Sequence, residues 1–193
     1  MTADTDPVPS LREWAFAAYD RPGVQEACLE LQDRHGMDVV ALLWCIWAGE
    51  HHGVIDAGAV ERIVAETAAW QTEVVAPLRA VRRRLKHADA SVAATGRQAD
   101  ADADRAARDR LRSQVADAEL AAEVIQLDRL EASTLTASAV GEAPAPSAVA
   151  GHPGEAAMRA NMAALVSAGG LDSDPARAVA IEALLATVAG VGS

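Results

Sequence analysis

The chain has 193 residues, with 28 acidic side chains against 17 basic ones and a formal net charge of −11. Alanine fills 46 positions, and all six aromatics (Trp14, Phe16, Tyr19, Trp44, Trp47 and Trp70) lie within the first 70. Two cysteines exclude a disulfide-stapled scaffold, and the acidic balance argues against a coat for nucleic acid or anionic membrane.

Alanine is the best helix former, and β-branched and aromatic residues are sparse beyond about residue 85, so the composition predicts an all-α fold. Residues 1–9 read as a disordered N-terminus with no secretory signal, which places the protein in the cytoplasm by default. The first helix starts at Ser10, where Ser10 and Glu13 have the spacing of a capping box. Leu11, Trp14, Ala17 and Ala18 give it an apolar face. Arg21-Pro22-Gly23 breaks it. A second helix follows with Val24, Ala27, Cys28 and Leu31 on one face and Gly36 as its stop. Asp38 caps a third helix, whose run VVALLWCIWAG carries no charge and is too short to span a bilayer. A helix apolar all round belongs among other helices.

Asp56 caps a long fourth helix through Val60, Ile63, Val64, Thr67, Trp70 and Val74. A kink is expected at Pro77, and the helix resumes through Leu78, Val81 and Leu85. Residues 88–99 read as a loop. A fifth helix spans about 102–131, with Leu111, Val115, Ala118, Ala122 and Ile125 as its inner stripe. Residues 132–153, rich in Ala, Pro and Gly, read as a linker. Two short helices follow near 154–168 and 175–189, the second started by Asp174-Pro175. The expected architecture is therefore a bundle of about five helices over residues 10–131, a linker, and a two-helix appendage over 154–193. Two such helices cannot stand alone in water, so they dock in cis or on a partner.

Four motifs in the head of the chain carry a resemblance. They are W-x-F-A from Trp14, R-P-G-V-x-x-A-C-L-x-L-Q-D from Arg21, G-x-D-V from Gly36, and L-L-W-C-x-W-A-G from Leu42 to Gly49. With these the chain resembles a family of helical bacterial proteins, mainly proteobacterial, catalogued as a domain of unknown function. The resemblance spans roughly residues 12–130 and is densest over 14–53. It implies a small helical bacterial protein and assigns no role to any residue.

Three groups of residues are chemical candidates. Trp14, Trp44, Trp47 and Trp70, edged by Glu50 and His51, have the types that line a site for a flat or apolar ligand. The bland alternative is that an Ala-built bundle needs large residues to fill its centre. Within that cluster Cys45, Glu50, His51 and His52, joined by Cys28 and His35, are metal-ligand types without a metal-site spacing. Cys45 with His51 or His52 makes a nucleophile–base pair on paper, but a mid-helix thiol between tryptophans favours an inert group. Arg79, Arg82, Arg83 and Lys86 share one helical stripe. This is an anion- or partner-binding pattern, or a charge-paired face if the fourth and fifth helices fold back so that Arg83 and Lys86 meet Asp100–Asp104. No cofactor is implied. The reading is a non-enzymatic cytoplasmic interaction or regulatory protein, with a protein partner or a homodimer and neither nucleic acid nor membrane. The alternative is a small-molecule or metal-binding module around Trp44, Trp47, Glu50 and His51.

Overall fold

Ser10 opens the first helix as its spacing requires: its hydroxyl accepts the Glu13 backbone N–H at 3.2 Å, and its own N–H donates to Glu13 Oε2 at 3.2 Å. The computed structural model describes residues 7–88, 98–140, 153–171 and 174–190, and every regular element among them is helical. These are α1 (Leu11–Tyr19), α2 (Val24–His35), α3 (Val39–His51), α4 (Ala57–Trp70), a π-helical turn (Gln71–Val75), α5 (Ala76–Ala88), α6 (Gln98–Val140), α7 (Pro153–Ala168) and α8 (Pro175–Val188). Residues 1–6, most of the expected loop and residues 141–152 of the expected linker lie outside the described residues. None of the described helices is long and apolar enough to cross a membrane.

The punctuation follows local chemistry. Gly36 ends α2 at φ +67°, a left-handed conformation that costs glycine nothing. The Asp38 carboxylate accepts the Val40 N–H at 3.0 Å, Asp56 accepts that of Ala59 at 3.1 Å, and Asp174 accepts that of Ala176 at 3.0 Å. Each satisfies a donor that the first helical turn leaves orphaned. Pro77 has no N–H and would crowd the carbonyl four residues earlier. The chain accommodates it by widening into the π turn just before it, where the Ala76 N–H reaches the Gln71 carbonyl.

The chain forms two compact units, residues 1–67 with 127–193, and residues 68–126. In the first unit α3 is the central element, and Val40 through Gly49 are all buried. Helix α7 runs along α3, and α8 along α2. Each fully buried Leu, Ile or Val of this core contributes about 1.5–3 kcal/mol. The two C-terminal helices thus dock in cis, within the first unit. The reason is steric as well as apolar. A Cβ on Gly49 would sit 2.5 Å from the Met158 backbone nitrogen, so the two helix backbones touch where the side chain is missing.

Asn161, fully buried, fastens α7 to the chain around the end of α3. Its amide nitrogen donates to the Cys45 carbonyl at 3.4 Å and the Gly53 carbonyl at 3.1 Å, and its oxygen accepts the Ile55 N–H at 2.8 Å. Helix α6 also outruns its expected end at 131 and makes residues 132–140 helical. Thr134 explains why this stretch is held: it is fully buried, and its hydroxyl donates to the Leu130 carbonyl while accepting the Trp44 indole N–H at 2.7 Å. In α1 the buried face is Leu11, Trp14, Ala15 and Ala18, with Ala15 in the place expected for Ala17.

The second unit is built differently. Among its described residues Val75 and Ala122 are the buried apolar side chains, beside buried Arg79, Glu119 and Gln126. Of the inner stripe expected on α6, Ala122 is buried and Val115 half-buried, but Leu111 is 47% exposed, Ile125 41% and Ala118 exposed, whereas Glu119 and Gln126 face inward. Arginines across the hairpin draw the Glu119 face in, and a paired charge can occupy a buried position that apolar patterning alone would deny it.

Candidate functional site

The tryptophans divide between the two units. In the first, Trp14, Trp44 and Trp47 are at most 5% exposed, and each indole N–H has a protein acceptor. Trp14 donates to Glu50 Oε2 at 3.0 Å, Trp44 to Thr134, and Trp47 to the Pro9 carbonyl at 3.0 Å. Trp70 belongs to the second unit, where it donates to the Ala122 carbonyl at 2.9 Å. Side chains whose polar atoms are all spent internally act as packed core.

The end of α3 keeps a polar cluster. His52 packs on Trp47 at a tilt of 58° with ring centroids 4.6 Å apart, and His51 lies 6.2 Å from the same ring. His51 Nε2 is 4.0 Å from Glu50 Oε1, and the Nε2 atoms of both histidines are buried without a hydrogen-bond partner. Burial lowers the His52 pKa, helped by the His51 charge and opposed by Glu131, so His52 is neutral at neutral pH. Glu131 itself accepts the Leu11 N–H at 3.1 Å. Among the described residues no three His, Cys, Asp or Glu side chains are grouped to hold a metal ion.

Both thiols are buried and free. Burial pushes the Cys28 thiol up to about 12 and that of Cys45 higher still. Cys45 donates its S–H to the Asn161 carbonyl at 3.5 Å. A nucleophile must be a thiolate at working pH, and neither group is one.

The cationic stripe of α5 is largely spoken for. Arg79 meets Glu119 at 2.9 Å and Glu123 at 2.5 Å, and Arg82 grips both oxygens of Glu119 at 2.5 and 3.2 Å. Burial alone would raise the Glu119 pKa, but the two guanidiniums together hold it below the usual carboxylate range. Charge pairing across the hairpin is therefore present, with Arg79 and Arg82 as its cations. These pairs use Glu119 and Glu123 of α6; Arg83 and Asp102 each have a partner as well, and the side chain of Asp100 lies outside the described residues. Lys86 shares a depression with Asp109, Arg112 and Ser113.

An open site lies between the two C-terminal helices, for which the sequence implied only docking. Between α7 and α8 runs a groove of about 650 Å³. Its base is formed by Met162, Ile181 and Leu185, which are buried in the core, and half-buried Val166, an i, i+4 pair from each helix. Its rim carries Arg159 against Glu182 at 3.1 Å and Arg177 against Asp174 at 3.7 Å. His35 of α2, almost wholly buried, binds Asp174 at 2.9 Å and so ties the start of α8 to the end of α2. The signal that could have found the groove was the paired spacing of Met162 with Val166 and Ile181 with Leu185. What hid it is that spacing does not say where two neighbouring helices part at the surface.

No curated protein and no solved structure matches the chain. A family model matches residues 10–130, which take in every tryptophan and the cationic stripe but not Thr134, α7 or α8. The chain belongs to that family, described as Protein of unknown function (DUF2390).

Proposed function

We propose that the protein is a non-enzymatic interaction protein of the cytoplasm that receives an apolar helix of a partner protein in the groove between α7 and α8. The observation that carries this reading is the groove itself. The i, i+4 pairs of two helices close the base of an opening whose exposed Ala163 and Ala178 leave room for a third helix to lay its ridge between them. The rim charges of both signs then set the orientation of the guest more than its affinity. The alternative module around Trp44, Trp47, Glu50 and His51 has less support, because its indoles are already engaged by the protein.

Ala163 and Ala178 line the groove and are exposed, so both tolerate substitution. A photo-crosslinking benzoylphenylalanine at position 178, expressed in the native cell, is expected to give one discrete heavier product. Ala163→Trp, which fills the groove, is expected to abolish it. A product at twice the chain mass of 20.0 kDa identifies a second copy as the partner. The absence of any product, or one indifferent to Ala163→Trp, overturns the reading.

A further inference from the structure

We propose that the depression between α5 and α6 in the second unit binds a small phosphate-bearing anion. About 280 Å³ in volume, it is lined by Arg82, Lys86, Arg112, Ser113, Asp109 and Ala116. Three of those six side chains are cations and one is a carboxylate, on a chain whose net charge is −11. A concave cationic site on an otherwise acidic protein focuses the local field and selects anions.

The cations are held from behind. Glu119, 5% exposed, grips Arg82 through both its oxygens and is itself held by Arg79. Asp109 stands 3.6 Å from Arg112 on the same helix. With Arg82 matched by Glu119, the charge left to attract a ligand is that of Lys86 and Arg112 against Asp109 alone. Lys86 has no ion-pair or hydrogen-bond partner among the described residues. Its ammonium acts as a mobile point charge, and the Arg112 guanidinium offers a planar fork, the two modes by which proteins hold phosphate oxygens. Ser113 adds a hydroxyl donor on the same wall. The volume accommodates a phosphate or diphosphate group and is too small for an extended polymer.

Calorimetric titration of the full chain with pyrophosphate tests this, with ADP as a second arm to separate a free phosphate from a nucleotide source. One site is expected, with affinity that falls as salt rises. Lys86→Met and Arg112→Gln are each expected to weaken binding by about tenfold, the scale of one lost charge-assisted contact. Arg84→Gln, on α5 but outside the depression, is expected to leave it unchanged. Circular dichroism of each variant confirms that the helices persist. Tighter binding of ADP assigns the site to nucleotides, and equal binding assigns it to free phosphates. No heat with either ligand, or binding that Lys86→Met and Arg112→Gln leave intact, overturns the proposal. So does a preference for single-stranded DNA over both small anions.

Discussion

The two compact units use opposite means to the same end. The first buries large apolar side chains around α3 and fastens its helices with the hydrogen bonds of buried Asn161 and Thr134. The second buries little apolar surface and holds its helices with Arg79, Arg82, Glu119 and Glu123. The comparison teaches where binding can occur. The aromatic-rich unit closes its tryptophans away and leaves the α7–α8 groove open. The charged unit leaves Lys86 and Arg112 facing solvent.

The contrast breaks most sharply at Gly49. Gly49→Ala is expected to cost about 3 kcal/mol or more, because a methyl against the Met158 backbone forces two helices apart. Urea denaturation followed by tryptophan fluorescence measures it, and a loss under about 1 kcal/mol would show that α7 is not pressed on α3. Asn161→Ala comes next, at about 2–4 kcal/mol. It strands the Ile55 N–H and the Gly53 carbonyl in a half-buried turn.

In the second unit, Glu119→Gln is expected to destabilise by about 2 kcal/mol, since it removes the shared anion of two arginines. The pH dependence has a definite sign. Glu119 has a folded pKa below its ordinary value of 4.5, so its stabilisation is fully present above that value. It is lost as pH falls through the lowered pKa, and Glu119→Gln flattens the helicity profile in that acid range. A profile that the substitution does not alter would contradict the network. The smallest effect is expected at Arg34→Gln. Arg34 is 76% exposed and pairs with Glu30 at 3.3 Å, and its loss should shift stability by less than about 0.5 kcal/mol.

Much of this fold was legible because its signals are local. Ser10, Asp38, Asp56 and Asp174 cap where their positions say, and the uncharged run after Asp38 is the buried helix it reads as. What escaped the sequence depends on partners far along the chain. Nothing near Gly49 says that Met158 will lie against it, and nothing near Asn161 says that its amide will close the turn after α3. The expected stripe through Leu111 and Ile125 failed for the same reason. Glu119 looks like a surface residue until Arg79, 40 positions away, is placed beside it. The candidate tryptophans were chosen for their size, and size is as much the property of a core as of a pocket. Charge pairing between α5 and α6 was within reach of the sequence, because Arg79, Arg82, Arg83 and Lys86 share one stripe and α6 is rich in acids.

Hydrogen exchange at low salt and at about 1 M NaCl tests most directly whether the two units are held by different forces, since that concentration screens charge while sparing apolar contacts. The expected result is loss of amide protection in residues 76–86 and 105–126 at high salt, with protection in residues 39–51 unchanged. Equal loss in both, or loss confined to residues 39–51, would contradict the account.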